Sequence, residues 1–377
     1  MIKYLGSKRA LAGAIAVAAT ELGAHSAADL FAGTTRVGQA LRGAGLEVLS
    51  NDTAAYSEAF GLAYLASGPE VDRVRIQRLL RHLRALPPVD GYVTETFCRR
   101  SRYFQPENGM RIDAVRDGID RLDLDPVERG ILLTSLVEAA DRVDSTVGVQ
   151  MAYLKRWAPR AANALELREP AAVAGPTGRV TRADANELAA ELDGIDLAYV
   201  DPPYNQHSYL GNYHVWETLV RWDAPDHYGI ACKRADCRTR KSAYNLRRQA
   251  GTALADLIER IKARWLVVSF SDEGFHRPDE IEALLAGRGH VGAVAVSRPR
   301  YVGARIGIHD PAGRRVGTVS HLSNTEHLFV CGPDRRRVDR ALVSISRALV
   351  RHDGAGGNSP AGRAPEGRHA AVHAAHL

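Results

Sequence analysis

Residues 196–204 read DLAYVDPPY, a short apolar run that ends in an acid, two prolines and a tyrosine. The apolar run predicts a buried β-strand over residues 197–200. Proline has no backbone N–H and cannot continue a sheet, so the strand must end at Asp201. In open α/β sheets, ligands bind at the carboxyl ends of the strands. The sequence therefore predicts that chemistry takes place at Asp201.

The segment Asp201, Pro202, Pro203 and Tyr204 is suited to act on a ring that carries an amine. The Asp201 carboxylate and the Pro202 carbonyl can both accept hydrogen bonds from one exocyclic amino group, while Tyr204 can stack on the ring. An aromatic amine is a poor nucleophile because its lone pair is delocalised into the ring. Two acceptors on its hydrogens favour a pyramidal nitrogen and aim the lone pair at an electrophile, which is catalysis by positioning and fixed dipoles.

Earlier segments are typical of a site for a nucleoside. Residues 27–38 predict a strand, a tight turn at Gly33 and a helix, which is the first βα turn of a doubly wound sheet. The dinucleotide glycine pattern is incomplete, since Thr35 takes one of its positions. Asp52 follows the next strand and either binds ribose hydroxyls or serves as a turn residue. Asp184 follows a later strand and either meets an adenine amine or caps a helix.

The alternation of strands and helices is interrupted between residues 59 and 175, where the pattern becomes helical. It returns after a Gly/Pro-rich linker at residues 174–178. We therefore predict an α/β domain formed by residues 1–58 and 176–350, with a mainly helical insertion at residues 59–175. Residues 351–377 are rich in Gly, Ala, Pro and His without periodicity, and we predict that they form a disordered tail.

Two basic segments are candidates for contact with nucleic acid. The first interleaves arginines with aromatic residues, which is typical of strand-binding surfaces, and the second lies directly downstream of the predicted site, where it could close over a phosphate backbone. A solvated surface loop is the alternative for both. The residues concerned are Arg99, Arg100 and Arg102 in the first segment, and Lys233, Arg234, Arg238, Arg240 and Lys241 in the second.

The composition sets broad limits. A formal charge of +6 fits a polyanionic partner only weakly. The chain has 4 cysteines, too few and too scattered for a disulfide framework, which suits a reducing cytoplasm. No apolar run approaches the length needed to span a bilayer, and the N-terminus does not read as a secretory signal. A zinc site through Cys232, Cys237 and His227 lacks a fourth ligand, so we predict no metal.

Together these motifs resemble the Dam-like class of S-adenosylmethionine-dependent, adenine-specific DNA methyltransferases. The resemblance rests on three blocks in the family's order: KYLGSK at residues 3–8, DLFAG at residues 29–33 and DPPY at residues 201–204. It implies a Rossmann-like methyltransferase sheet with helices on both faces, and it makes the helical insertion a DNA-recognition domain. Thr35 departs from the family pattern, in which glycine is common.

The resemblance also implies a role for particular residues. The methionine part of S-adenosylmethionine would lie across Asp29, Phe31, Ala32, Gly33 and Thr34. Asp52 would hold the ribose and Asp184 would approach the cofactor adenine. Tyr4, Gly6 and Lys8 would line the side of the methyl donor. Asp201, Pro202, Pro203 and Tyr204 would hold an adenine flipped out of double-stranded DNA. The oligomeric state and a cognate restriction endonuclease stay open.

Other functions remain as alternatives. Cytosine also bears an exocyclic amine, but enzymes that use it more often have serine in place of Asp201. An RNA adenine methyltransferase would use the same site, although a large insertion suits the reading of DNA. A non-catalytic nucleic-acid-binding protein need not keep the acid of the DPPY segment. A nicotinamide dehydrogenase shares the fold class, but fold does not imply function.

Overall fold

A mixed β-sheet forms the centre of the protein, whose computed structural model describes residues 2–299, 308–309, 315–317 and 323–355. In chain order the strands are β1 (Ser26–Asp29), β2 (Glu47–Asn51), β3 (Arg179–Thr181), β4 (Leu197–Val200), β5 (His227–Tyr228), β6 (Lys233–Arg234), β7 (Trp265–Ser271), β8 (His290–Pro299), β9 (Ile308–His309), β10 (Arg315–Gly317) and β11 (Ser323–Gly332). The main sheet has 7 strands in the order β3-β2-β1-β4-β7-β11-β8. All neighbours are parallel except β11, which runs antiparallel to both β7 and β8.

Helices connect these strands. They are α1 (Ala12–Leu22), α2 (Arg36–Gly43), α3 (Ala55–Gly61), α4 (Arg73–Ala85), α5 (Pro106–Asp120), α6 (Pro126–Val143), α7 (Ala185–Glu191), α8 (Tyr209–Asn212), α9 (His214–Arg221), α10 (Arg247–Arg260), α11 (Pro278–Ala286) and α12 (Arg335–Ala355). Shorter 3₁₀ turns cover Lys8–Ala10, Pro159–Ala162, Ala235–Arg238 and Ala243–Asn245, and π-helical turns cover Leu62–Ala66 and Thr94–Arg99.

The central strands are apolar because helices cover both faces of the sheet. Every residue of β4 and β7 is buried, as expected for strands that are covered on both sides. Alternate residues enter two separate clusters: Leu197 and Tyr199 pack with α1, α3 and α12 on one face, while Ala198 and Val200 pack with α7, α10 and α11 on the other. The predicted α/β class with helices on both faces is confirmed.

Between β2 and β3 the described chain is helical and contains no strand. Helix α6 begins with a capping box at Asp125 and Glu128 and is buried along most of its length. Its apolar residues join the same hydrophobic cluster as α1 and the sheet. The predicted boundary between residues 58 and 59 falls inside α3. The division into a catalytic domain and a recognition domain stays a prediction.

Two smaller features differ from the sequence-based prediction. The segment around residues 227–234, which we did not expect to pair, forms a short antiparallel ribbon of β5 and β6. Helix α12 continues to Ala355 and so extends into the segment 351–377, for which we predicted disorder; residues 356–377 lie outside the described part of the chain.

Candidate active site

The candidate site lies where the strand order of the sheet reverses. Strand β1 is paired with β2 on one side and with β4 on the other, and β4 continues to β7. Chain connections therefore diverge at the carboxyl ends of β1 and β4, the position at which doubly wound sheets bind ligands. Asp29, the last residue of β1, is in register with Tyr199, so it lies close to Asp201 just beyond β4. A cavity of about 300 Å³ opens there.

All of the predicted cofactor residues line this cavity. They are Tyr4, Gly6, Lys8, Asp29, Phe31, Ala32, Gly33, Thr34, Asp52 and Asp184. Asp201 and Pro203 line it as well, whereas Pro202 and Tyr204 lie beside it. The structure therefore brings the three sequence blocks of residues 3–8, 29–33 and 201–204 together at one edge of the sheet.

The turn after β1 is held by the carboxylate of Asp52, which lies just beyond β2. The Gly33 N–H donates to Asp52 Oδ2 at 2.8 Å, and the Ala54 N–H donates to Asp52 Oδ1 at 2.9 Å. Gly33 has a φ of 51° and a Cβ there would meet the Tyr4 ring at 3.1 Å, which explains why this position requires glycine. Thr35 has a φ of 59°, a left-handed conformation that is rare for a β-branched residue. The glycine that is common in the family at this position would adopt it without strain.

Asp29 is a buried carboxyl with one unused oxygen. Its Oδ2 accepts the Gly38 N–H at 3.2 Å, while Oδ1 has no hydrogen-bond partner within the described residues. Burial and the nearby Asp201 carboxylate raise the pKa of Asp29, the Gly38 N–H lowers it, and the net pKa is about 8. Asp29 lines the cavity, and its unused oxygen can accept a hydrogen bond from a cationic ligand group.

The ammonium of Lys8 lies between two carboxylates at the carboxyl end of β4. Lys8 Nζ is 3.1 Å from Asp201 Oδ1 and 2.5 Å from Glu326 Oε1, and it lies 5.9 Å from the centre of the Tyr204 ring. Burial opposes the charge of Lys8, but the two carboxylates outweigh it and hold the pKa of the ammonium well above its usual value. Burial raises the pKa of Asp201, Lys8 lowers it and Glu326 raises it, and the net pKa is about 6.

Tyrosines form the wall of the cavity next to the N-terminal segment. The Tyr4 ring stacks on Tyr213 with centroids 4.3 Å apart and on Tyr209 at 5.5 Å. The Tyr4 hydroxyl lies 3.1 Å from the Tyr56 hydroxyl. The Tyr213 hydroxyl accepts the Leu5 N–H, so this stack also fixes the path of residues 3–8.

Seven of the eight predicted nucleic-acid residues divide into three groups. Arg240 and Lys241 line the cavity itself, next to Tyr244 and Asn245. Arg99, Arg100, Arg102 and Arg238 are exposed or half-buried on the surface; Arg102 packs over the Trp157 ring at 4.7 Å and Arg238 over the Tyr228 ring at 3.9 Å. Lys233 is half-buried on the β5–β6 ribbon. Contact of these residues with nucleic acid stays a prediction.

The prediction for Arg234 is wrong. Its side chain is only 2% exposed, and its guanidinium donates to both oxygens of Asp223 at 2.7 Å and to Asp236 at 3.0 Å. A further N–H bonds to the Thr218 hydroxyl. Because these partners use its donors inside the protein, Arg234 ties the β5–β6 ribbon to α9 and does not face a ligand.

Sequence reasoning missed several residues of the site. Glu326 lies within β11, far along the chain, and nothing in its local pattern distinguishes it from an ordinary strand residue. Tyr209 lines the cavity although its spacing suggests helix core, and Tyr244 packs edge-on against Phe31. In the described part of the chain, no group of three or more His, Cys, Asp or Glu residues could hold a metal ion. None of the described helices is long and apolar enough to cross a membrane.

Comparison with known proteins agrees with this geometry. The sequence model of a family described as D12 class N6 adenine-specific DNA methyltransferase matches residues 4–284. The chain is 32% identical over 284 residues to the type II methyltransferase M.FokI of Planomicrobium okeanokoites, which covers 71% of this chain and 43% of that protein. It is 31% identical over 287 residues to the type II methyltransferase M.NlaIII of Neisseria lactamica, with 72% and 84% covered.

A third relative is the modification methylase LlaI of Lactococcus lactis subsp. lactis, which is 31% identical over 303 residues. This match covers 74% of the chain and 48% of the relative. The chain thus spans under half of M.FokI and LlaI but most of M.NlaIII.

Proposed function

The chain belongs to the D12 class N6 adenine-specific DNA methyltransferases, and we propose that it methylates specific adenines in double-stranded DNA with S-adenosylmethionine as methyl donor. The observation that carries this proposal is the position of Asp201 at the switch point of the sheet, directly beside the cavity that the N-terminal and β1 segments line. An adenine amine inside a duplex faces its partner base, so the base must be extruded to reach this carboxylate.

The residues of the cavity fit the proposed cofactor. The unused buried oxygen of Asp29 suits an α-ammonium group, and Asp52, next to the Gly33 turn, suits a ribose. Asp184 stands at the N-terminus of α7, where it accepts the Asn186 N–H, and lines the end of the cavity at which α7 begins. We assign the adenine of the cofactor to that end. When bound, S-adenosylmethionine supplies a methyl group on a sulfonium, which is an activated electrophile.

The protein's part in the reaction is to position and polarise the amine. In this proposal the Asp201 carboxylate and the Pro202 carbonyl accept the two hydrogens of N6, and Tyr204 stacks on the ring. The N6 lone pair then forms the N–C bond as the C–S bond breaks, and the electron pair of that bond remains on sulfur. Asp201 stabilises the positive charge that develops on N6, and one N6 proton passes to solvent water, which restores the neutral amine.

The proposed DNA surface combines the helical insertion with the exposed basic residues. Arg99, Arg100, Arg102, Lys233 and Arg238 would contact the backbone, while Arg240 and Lys241 would meet the strand where the base enters the cavity. The relatives are named type II methyltransferases and a modification methylase. This supports a role in restriction-modification, with a cognate restriction endonuclease. We place the protein in the cytoplasm, in keeping with the free thiols of Cys98, Cys232, Cys237 and Cys331.

The test is transfer of labelled methyl from S-adenosylmethionine to duplex DNA, with structured RNA as a second substrate. We expect 6-methyladenine in DNA at one sequence, which sequencing that detects the modified base then identifies. Asp201→Asn should lower the rate by about 100-fold or more, because it removes the acceptor charge. Asp193→Asn, an exposed carboxylate before β4, is the matched control and should match the wild type.

Other outcomes would point elsewhere. Label found only in RNA would make the protein an RNA methyltransferase. Binding of S-adenosylhomocysteine and DNA without any transfer would favour a non-catalytic nucleic-acid-binding protein. Full activity in Asp201→Asn would refute the assigned chemistry.

A further inference from the structure

Lys8 occupies the position that the proposed function assigns to the target amine. Its ammonium contacts Asp201 Oδ1 at 3.1 Å and lies over the face of Tyr204, 5.9 Å from the ring centre. A carboxylate acceptor and an aromatic face are the two partners that an extruded adenine would need. Lys8 is only 6% exposed. An adenine amine that uses Asp201 Oδ1 as its acceptor must therefore displace this ammonium.

Glu326 gives the ammonium a second partner that does not depend on the base. Its carboxylate is the closer of the two, with Oε1 at 2.5 Å from Lys8 Nζ. Strand β11 is hydrogen-bonded between β7 and β8, and Glu326 is in register with Ser271 and Val296. The Ser269 hydroxyl also donates to Glu326 Oε1 at 3.0 Å. The carboxylate is thus held on a strand that is paired on both sides, while Lys8 projects from a short 3₁₀ turn.

The charges of the three groups explain why two carboxylates are needed. A buried ammonium without a partner is very unfavourable. If Asp201 were its sole partner, a neutral amine entering the site would have to leave Lys8 buried and unpaired. With Glu326 present, Lys8 stays paired after it has left Asp201, and Asp201 is free to accept the N6 hydrogens.

Building on the proposed function, we propose that Lys8 fills the base site before DNA binds and that Glu326 is a positioning residue which holds Lys8 when the extruded adenine displaces it from Asp201. Before the base enters, the ammonium keeps the partly buried Asp201 carboxylate paired. After entry, the Lys8–Glu326 pair persists beside the base. Glu326 thus acts on the reaction through Lys8 and does not touch the substrate.

The experiment measures base extrusion directly. A duplex carries 2-aminopurine in place of the adenine that the wild-type protein methylates, and its fluorescence is recorded at pH 8.5 with S-adenosylhomocysteine bound. Glu326→Gln should lower the equilibrium for extrusion about tenfold, because Lys8 then remains on Asp201. Lys8→Met should raise it by a similar factor, since nothing competes for Asp201. The double variant should behave like Lys8→Met alone.

Controls separate this role from a structural one. Asp272→Asn removes an exposed carboxylate near Glu326 that bonds to the Thr325 N–H, and it should leave extrusion unchanged. Thermal unfolding and binding of S-adenosylhomocysteine are measured for each variant, and variants that retain both have kept the fold.

Three results would overturn the inference. Extrusion that falls in Lys8→Met would mean that Lys8 helps to bind the base. A tenfold effect of Glu326→Gln that persists in the Lys8→Met background would mean that Glu326 does not act through Lys8. Unchanged extrusion in both single variants would mean that the ammonium does not compete with the base. If the wild-type protein methylates no DNA, the proposed function and the role of Lys8 and Glu326 are both refuted. If it methylates DNA and any of the three results above is found, only the role of Lys8 and Glu326 is refuted.

Discussion

Asp201 must carry a negative charge at a position that is largely removed from solvent. As an acceptor for an amine it must carry its negative charge, but burial disfavours that charge and raises its pKa to about 6. Lys8 offsets part of this cost at 3.1 Å. The pKa of Asp201 therefore lies only slightly below neutral pH, and the neighbouring charges determine how much of the residue is ionised.

The pKa of Asp201 predicts how methylation depends on pH. Only ionised Asp201 accepts the amine, so kcat/KM should rise with pH through about 6 and level off above it. The charged groups that shift the pKa of Asp201 are Lys8 and Glu326. The carboxyl of Asp29 and the hydroxyls of Tyr199 and Tyr204 are the other titratable groups beside it. Lys8→Gln removes a stabilising cation and should move the midpoint up by about one unit, while Glu326→Gln should move it down.

Rates measured between pH 5 and 9 on the mapped DNA site check these shifts. Two variants with shifts in opposite directions cannot both result from general loss of stability. Equal midpoints in all three proteins would show that another group controls the acid limb.

Asp29 makes a second prediction, for binding of the cofactor. Its pKa of about 8 means that the carboxyl is largely protonated at pH 7 before a ligand binds. A ligand ammonium pairs with the ionised form, so binding below pH 8 must expel a proton, and affinity should rise with pH until about 8. Calorimetry of S-adenosylhomocysteine in two buffers of different ionisation enthalpy measures the protons released. Asp29→Asn should bind more weakly and release fewer protons; equal release would place the titrating group elsewhere.

At the scale of single elements, the β5–β6 ribbon is held by one buried guanidinium. Arg234 links Asp223 and Asp236, whereas Arg238 lies outside on the Tyr228 ring. Arg234→Ala deletes a buried side chain and its hydrogen bonds, while Arg221 and Arg240 still pair with the two carboxylates. It should therefore lower the free energy of unfolding by about 2 kcal/mol. Arg238→Ala should change stability by less than about 0.5 kcal/mol and weaken DNA binding instead.

Urea unfolding and DNA titrations of the two variants distinguish these roles. A stable Arg234→Ala protein with weaker DNA binding would reinstate Arg234 as a surface contact. Loss of stability in Arg238→Ala would show that its contact with Tyr228 supports the ribbon.

These elements also show where sequence reasoning succeeds and where it ends. The predicted strand at residues 197–200 coincides with β4 because an apolar run followed by two prolines determines both ends locally. Arg234 and Arg238 lie in the same basic segment and cannot be distinguished by sequence. Only the fold brings Arg234 into contact with the carboxylates of Asp223 and Asp236. Glu326 joins the site through the antiparallel insertion of β11 between β7 and β8, a pairing that no local pattern encodes.

At the scale of the whole molecule, one hydrophobic cluster joins the helical insertion to the sheet. Ile112 of α5 and Leu136 of α6 belong to the same cluster as Leu197 and Tyr199 of β4. Lys3 adds a polar link, since its ammonium donates to Asp141 of α6 at 2.9 Å. Such sharing means that the insertion cannot lose its structure without exposing the apolar face of the sheet.

We therefore predict that the insertion and the sheet unfold together. Hydrogen exchange of the full chain in increasing urea should give amides of α6 and β4 the same free energy of opening and the same dependence on urea, because both exchange through one global transition. Helix α11, which packs on the opposite face, provides a comparison from the other cluster. If the amides of α6 open at a clearly lower free energy than those of β4, the insertion is an independent cooperative unit, and the division at residues 59–175 describes a separate domain. If they open together, recognition and catalysis share one core, and a substitution in α6 that loosens packing should weaken cofactor binding as well as DNA binding.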